Sequence, residues 1–142
     1  MPGADAFWRN WATQAVFPYC KEPIMITGIG ADIIEVSRIR RALEKGNGFA
    51  ERVFTPAEME YCASCGCPEQ RFAGRFAAKE AVAKCLGVSL NWRDVEILAA
   101  ESGAPEARLS NRAAEIADGR RILVSISHCR SYAVAYAAAV SD

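Results

Sequence analysis

The chain has 142 residues, 51% hydrophobic and 24% charged, a composition that supports one ordinary domain with a packed core and excludes disorder as the default. Seventeen lysines and arginines balance 17 aspartates and glutamates, which excludes a protein that lives on bulk attraction to nucleic acid or an anionic membrane. No apolar run approaches the roughly 18–20 residues that cross a bilayer, and Asp5, Arg9 and Asn10 interrupt the apolar stretch a secretory signal needs, so the simple reading is a cytoplasmic protein.

Residues 1–24 differ from the rest. Phe7, Trp8, Trp11, Ala12, Ala15 and Val16 fall on one helical face, the pattern of a short amphipathic helix. Phe17-Pro18 and Glu22-Pro23 then break it. Met25 opens a pattern that can stand alone, so residues 1–24 read as an N-terminal extension and 25–142 as the domain. Ile24 to Ile29 is strand-like and runs into Gly28-Ile29-Gly30-Ala31-Asp32-Ile33-Ile34. Ser37 to Lys45 reads as a helix stopped by Gly46-Asn47-Gly48. Thr55-Pro56-Ala57-Glu58 is a helix start, with threonine at the N-cap, proline at N1 and glutamate at N3 completing a capping box. A long helix is expected from about Arg71 to Leu86, ending at Gly87. Strands follow at Val95–Ala99, Ala107–Leu109, Ile122–Ser127 and Tyr132–Ala139, with a helix near Asn111–Ala117. Helices early and strands late make an α+β fold.

The long helix carries an apolar stripe of Phe72, Phe76, Ala83 and Leu86, with alanines over most of the opposite side. A helix apolar nearly all round is a buried one, yet this one holds Arg75, Lys79, Glu80 and Lys84. Lys79 projects into the stripe itself. Glu80 and Lys84, one turn apart, make either a solvated pair worth about 0.2–0.5 kcal/mol or a charged site whose partners come from a ligand or metal. Asp32 sits among apolar residues on a strand pattern. It is either paired with a nearby arginine or one of the few carboxylates that Mg²⁺ borrows while phosphate and water fill its octahedron. Alternation in Ile122-Leu123-Val124-Ser125-Ile126-Ser127 leads to His128, the only histidine, at a strand end beside two serines. It is either structurally satisfied or placed to hold a phosphate.

Basic charge is concentrated. Arg38, Arg40, Arg41, Lys45 and Arg52 face only Glu44 and Glu51, and the segment 71–84 has four basic residues against Glu80. These are solvated helix faces or a docking surface for an acidic partner. Six cysteines include Cys62, Cys65 and Cys67. Those three could open a zinc site, but only Cys85, Cys129 and His128 remain to close it, so reduced, part-buried thiols are the simpler reading.

Taken together, five segments resemble the holo-acyl-carrier-protein synthase family of 4′-phosphopantetheinyl transferases: Gly28-Ile29-Gly30-Ala31-Asp32-Ile33-Ile34-Glu35, Phe54-Thr55-Pro56-Ala57-Glu58, Arg75-Phe76-Ala77-Ala78-Lys79-Glu80-Ala81, Trp92-Arg93-Asp94-Val95-Glu96-Ile97 and Ser125-Ile126-Ser127-His128. The likeness runs from Met25 to the C-terminus. It implies a small antiparallel sheet packed with helices and a homotrimer with active sites at subunit interfaces, which would let Asp32 and Glu80 meet across one. It also implies transfer of the phosphopantetheine arm of coenzyme A to a serine of apo acyl carrier protein, releasing adenosine 3′,5′-bisphosphate, in fatty acid biosynthesis. By this resemblance Asp32 and Glu80 hold Mg²⁺ and Lys84 acts on the leaving oxygen. Arg75, Lys84 and His128 bind coenzyme A, and Arg38 and Arg52 grip the carrier. After Leu86-Gly87 the family commonly continues with a Gly-Thr-Gly type loop; here Val88-Ser89-Leu90-Asn91 leads to Trp92 over a shorter span. That departure keeps open a second reading, a non-catalytic carrier-binding module of the same fold.

Overall fold

A computed structural model describes residues 24–141; the amphipathic helix expected within residues 1–24 lies outside the described residues. The elements in chain order are β1 (Met25–Glu35), α1 (Val36–Glu44), α2 (Phe49–Val53), α3 (Pro56–Ala63), α4 (Pro68–Leu86), a 3₁₀ turn (Trp92–Asp94), β2 (Val95–Ala99), β3 (Pro105–Leu109), α5 (Asn111–Ala117), β4 (Arg121–His128) and β5 (Tyr132–Ser141). The fold is α+β. Its five strands form one antiparallel sheet in the order β1-β5-β4-β3-β2. β1 pairs with β5 from Met25↔Ser141 to Glu35↔Tyr132, while β3 and β4 share only the pair Glu106↔Leu123.

Register decides which residues face the helices. Asp32, Ala135 and Ile126 stand opposite one another across β1, β5 and β4, and directly opposed residues share a face. On that face Ala133, Ala135, Ala137 and Ala139 are sealed beneath α4. β1 brings Gly28 and Gly30 to it, and a Cβ on either would run into the carbonyl oxygen of Cys85 or Ala81. Strand and helix therefore meet backbone to backbone. The same closeness recurs at Gly74, where a Cβ would lie 2.9 Å from Ile126 Cγ2.

The long helix is buried over most of its circumference, as its all-round apolarity suggests; Phe72 of the stripe enters the core, and the alanine side is covered most completely. Ala73, Ala77, Ala78, Ala81 and Val82 are fully sealed, whereas Phe76, Ala83 and Leu86 are half-buried. Phe76 instead belongs to an aromatic layer under α2, stacking on Trp92 at 4.8 Å and on Phe49 at 6.3 Å. The helix also begins earlier than expected, at Pro68, because proline at the first position needs no amide partner. The box at Thr55 and Glu58 forms in full. The other face of the sheet lies open: Ile29 is 75% exposed, Ile33 63%, Tyr136 59% and Leu123 49%.

Candidate active site

α4 presents charged groups to two separate cavities. On one side Lys84, in its last turn, donates to Asp32 Oδ1 at 2.8 Å and to the Ala31 carbonyl at 3.0 Å. The glycines before Asp32 make this contact possible, since they let β1 lie against the turn of the helix that bears Lys84. Asp32 is mostly covered, its side chain 16% exposed, while that of Lys84 is 51% exposed. The hydrogen bond to Asp32 holds the Lys84 ammonium above its ordinary value; burial opposes this, and the charges of Asp32 and Glu80 add to it. Both carboxylates thus act on one ammonium within a single protomer. The pairing that forms is Lys84 with Asp32, not the i,i+4 pair with Glu80 that the helix spacing offered.

Glu80 and Lys84 line a cleft of about 430 Å³, closed on its far side by residues 87–92 and by Val95. Lys79 reaches the same cleft but turns inward, where its ammonium meets Glu58 Oε2 at 2.8 Å.

Arg75 points elsewhere. It lines a small cavity of about 100 Å³ together with Tyr61, Gln70, Arg71 and His128. Its guanidinium carbon lies 4.1 Å from the centre of the Tyr61 ring, a cation–π contact in place of a carboxylate. Arg75 is 5% exposed, and its Nε is buried without a hydrogen-bond partner. Two arginines and a histidine converge there, and among the described residues no carboxylate lines the space. An anion oxygen is what such an orphaned donor calls for. The two cavities share no lining residue, so one protomer keeps Arg75 and His128 apart from Glu80 and Lys84.

Arg38 and Arg52 are exposed on α1 and α2, and Arg52 donates from Nη1 to the Asn47 carbonyl at 2.6 Å. The sequence reading missed Tyr61, Gln70 and Arg71 as partners of Arg75. The signal for Arg71 was its i,i+4 spacing to Arg75 on one helix; Tyr61 comes from α3 and left no local sign. Cys62 and Cys85 are buried, Cys65 is half-buried, and Cys67 and Cys129 are exposed. No group of three or more His, Cys, Asp or Glu side chains gathers into a metal cage among the described residues.

Residues 28–137 match the family model of the 4′-phosphopantetheinyl transferase superfamily. A holo-(acyl-carrier-protein) synthase of Alkaliphilus oremlandii is 46% identical over 122 residues, spanning 82% of this chain and 100% of that protein. Its counterpart from Ruminiclostridium cellulolyticum is 49% identical over 118 residues, 77% of this chain and 88% of that one. Among solved structures, the holo-ACP-synthase of Plasmodium yoelii superposes with a TM-score of 0.75 at 33% identity, covering 85% of this chain and 99% of that one. A Bacillus anthracis synthase crystallised in complex with CoA (3′,5′-ADP) gives 0.71 at 34% identity, covering 83% and 99%. With relatives this close over nearly their whole length, the chain is a transferase of the 4′-phosphopantetheinyl transferase superfamily and belongs to its holo-acyl-carrier-protein synthases.

Proposed function

We propose that the chain moves 4′-phosphopantetheine from coenzyme A to a serine of apo acyl carrier protein, with residues 25–142 as the catalytic unit. The observation that carries this reading is the Asp32–Lys84 ion pair at a cleft that Lys84 lines together with Glu80, with a separate cavity built around Arg75. The donor set suits Mg²⁺: hard carboxylate oxygens from two side chains, the number this ion takes when substrate phosphates complete its shell. Asp32 and Glu80 would hold it, and it would supply charge neutralisation at the pyrophosphate.

The carrier serine oxygen gives up its proton to solvent and bonds to the β-phosphorus, and the bond from that phosphorus to the bridging oxygen breaks. Adenosine 3′,5′-bisphosphate leaves with the electron pair. Lys84, cationic at neutral pH like any lysine in contact with water, would meet the charge that develops on the leaving oxygen or give it a proton. Arg75 and His128 take a coenzyme A phosphate in their cavity. Arg38 and Arg52 present positive charge to the carrier's acidic helix.

The open sheet face supports self-association. Ile29, Leu123 and Tyr136 border a shallow hollow of about 600 Å³ on it, an apolar surface that a soluble monomer would not leave bare. We assign it to a homotrimer contact, in which the anion cavity of one protomer and the carboxylate cleft of its neighbour can serve one substrate. No helix among the described residues is long and apolar enough to cross a membrane, and we place the enzyme in the cytoplasm.

The test is incubation with apo carrier protein, coenzyme A and Mg²⁺, read by mass spectrometry. One added phosphopantetheine per carrier is expected; no gain with several carriers overturns the proposal. Asp32→Asn and Glu80→Gln should each lower kcat by about 10³-fold, the equivalent of roughly 4 kcal/mol of charge stabilisation, with circular dichroism unchanged. A non-catalytic module would bind carrier but show neither the transfer nor this loss.

A further inference from the structure

Lys79 takes no part in the transfer as proposed. Its side chain is 1% exposed, and its ammonium sits where α3, α4 and the entry to β2 meet. It donates to Glu58 Oε2 at 2.8 Å, to the Trp92 carbonyl at 2.8 Å and to the Val95 carbonyl at 2.5 Å. Those three bonds use all three of its donors. Glu58 is equally committed: Oε2 also accepts from the Thr55 amide at 2.8 Å, and Oε1 accepts from the Ile97 amide at 2.8 Å. The network is closed and buried.

A pair of apolar side chains could fill the same space and replace the ion pair itself. What they could not do is fix the positions of two carbonyls. Trp92 and Val95 bracket the 3₁₀ turn that ends the 87–92 segment, and that segment is the far wall of the cleft. The near wall carries Glu80, the next residue after Lys79, and Lys84. The Phe76–Trp92 stack also joins the two walls, but stacked rings can slide, whereas hydrogen bonds to two carbonyls set a distance.

We propose that Lys79 is a positioning residue. Held by Glu58, it fixes the separation between the 87–92 wall and the helix face bearing Glu80 and Lys84, and so sets how tightly the cleft holds coenzyme A. The proposal rests on the transferase reading of that cleft.

The test uses the full chain with Lys79→Met and Glu58→Gln together, which removes both charges at nearly constant volume. Hydrogen exchange by mass spectrometry should rise about tenfold in residues 88–95 and stay unchanged in β1 and β5. The KM for coenzyme A should rise about fivefold or more while kcat stays within about twofold. Unchanged KM and exchange overturn the proposal, as does exchange that rises in every strand with KM unaltered.

Should the double variant not fold, Asn91→Gly tests the second half of the proposal at an exposed site: that the wall's position sets how tightly coenzyme A is held. It removes the Asn91 side-chain cap on the Arg93 amide, 3.2 Å long, and loosens the same wall without touching the buried pair. A KM raised about twofold with Tm nearly unchanged supports the proposal; an unaltered KM overturns it. The exchange measurement needs no turnover, so an inactive wild type would sink the transferase reading while leaving the wall's tie to be judged on its own.

Discussion

Three side chains show how environment, rather than residue type, assigns roles here. Lys84 and Lys79 lie five residues apart on one helix, yet their ammonium groups shift in opposite directions. Lys84, half in water, is raised by its bond to Asp32. Lys79, sealed in the interior, is lowered by burial, with Glu58 pulling the other way. Cys62 is the third. Burial pushes its thiol up to about 12 from the ordinary 9.0, while the charge of Arg75 opposes. The sign follows directly: a group that binds its proton more tightly in the folded state loses stability as pH climbs above its unfolded value. The folded protein should therefore weaken between pH 9 and 12, by about 4 kcal/mol from this one thiol. Cys62→Ala should flatten that limb of the denaturation profile measured in urea. An unchanged slope would mean that the thiol ionises freely.

Among the elements, α3 and α4 are joined by the buried ion pair, and breaking one side of it should be costly. Glu58→Ala leaves an unpaired ammonium in the core, at a cost of about 3–5 kcal/mol near neutral pH. Without Glu58 the folded state disfavours the charged form of Lys79 still more. The deficit should shrink as pH rises from that depressed value toward 10.5, because the unfolded chain then holds the extra proton. Urea titrations at pH 7 and pH 9.5 would show it; a deficit that grows with pH would contradict this. Glu58 also marks how far the sequence could be read. Its role in the capping box spans three residues, and local spacing made that visible. Its bonds to Ile97 and Lys79 join residues 39 and 21 positions away, and no periodicity encodes them. α4 shows the same limit differently. All-round apolarity marked it as a buried helix, but that its alanine side lies backbone to backbone on β1 depends on Gly28 and Gly30, far earlier in the chain. Asp32, Glu80, Lys84, Arg75 and His128 could be named from their motifs. That Arg75 and His128 line one cavity while Glu80 and Lys84 line another could not, since the division depends on which part of the fold each turn of α4 meets.

For the whole molecule, that division is the consequential fact. In the proposed trimer, a protomer whose two cavities share no lining residue would supply half of a substrate site twice over, with the bare apolar face of the sheet as the contact that joins them. Tyr136→Asp places a charge at the centre of that face, where the wild-type side chain is 59% exposed and contributes little to the monomer's own stability. The variant should elute as a folded monomer in light-scattering chromatography and lose at least about tenfold in transfer rate. A monomer with full activity would show that each protomer carries a complete site.

The pairing of β1 with β5 also has a consequence in time. Met25 finds its partner at Ser141 and Asp32 at Ala135, so the first strand of the described fold waits on the last one. A ribosome adding about 5–20 residues per second takes on the order of 5–25 s to cover that interval, and contacts this far apart in sequence form slowly. During that delay β1, with Ile26, Ile29 and Ile33, has no strand partner. The sheet is thus completed only when β5 joins β1, and nascent chains that stall before β5 would be prone to aggregate.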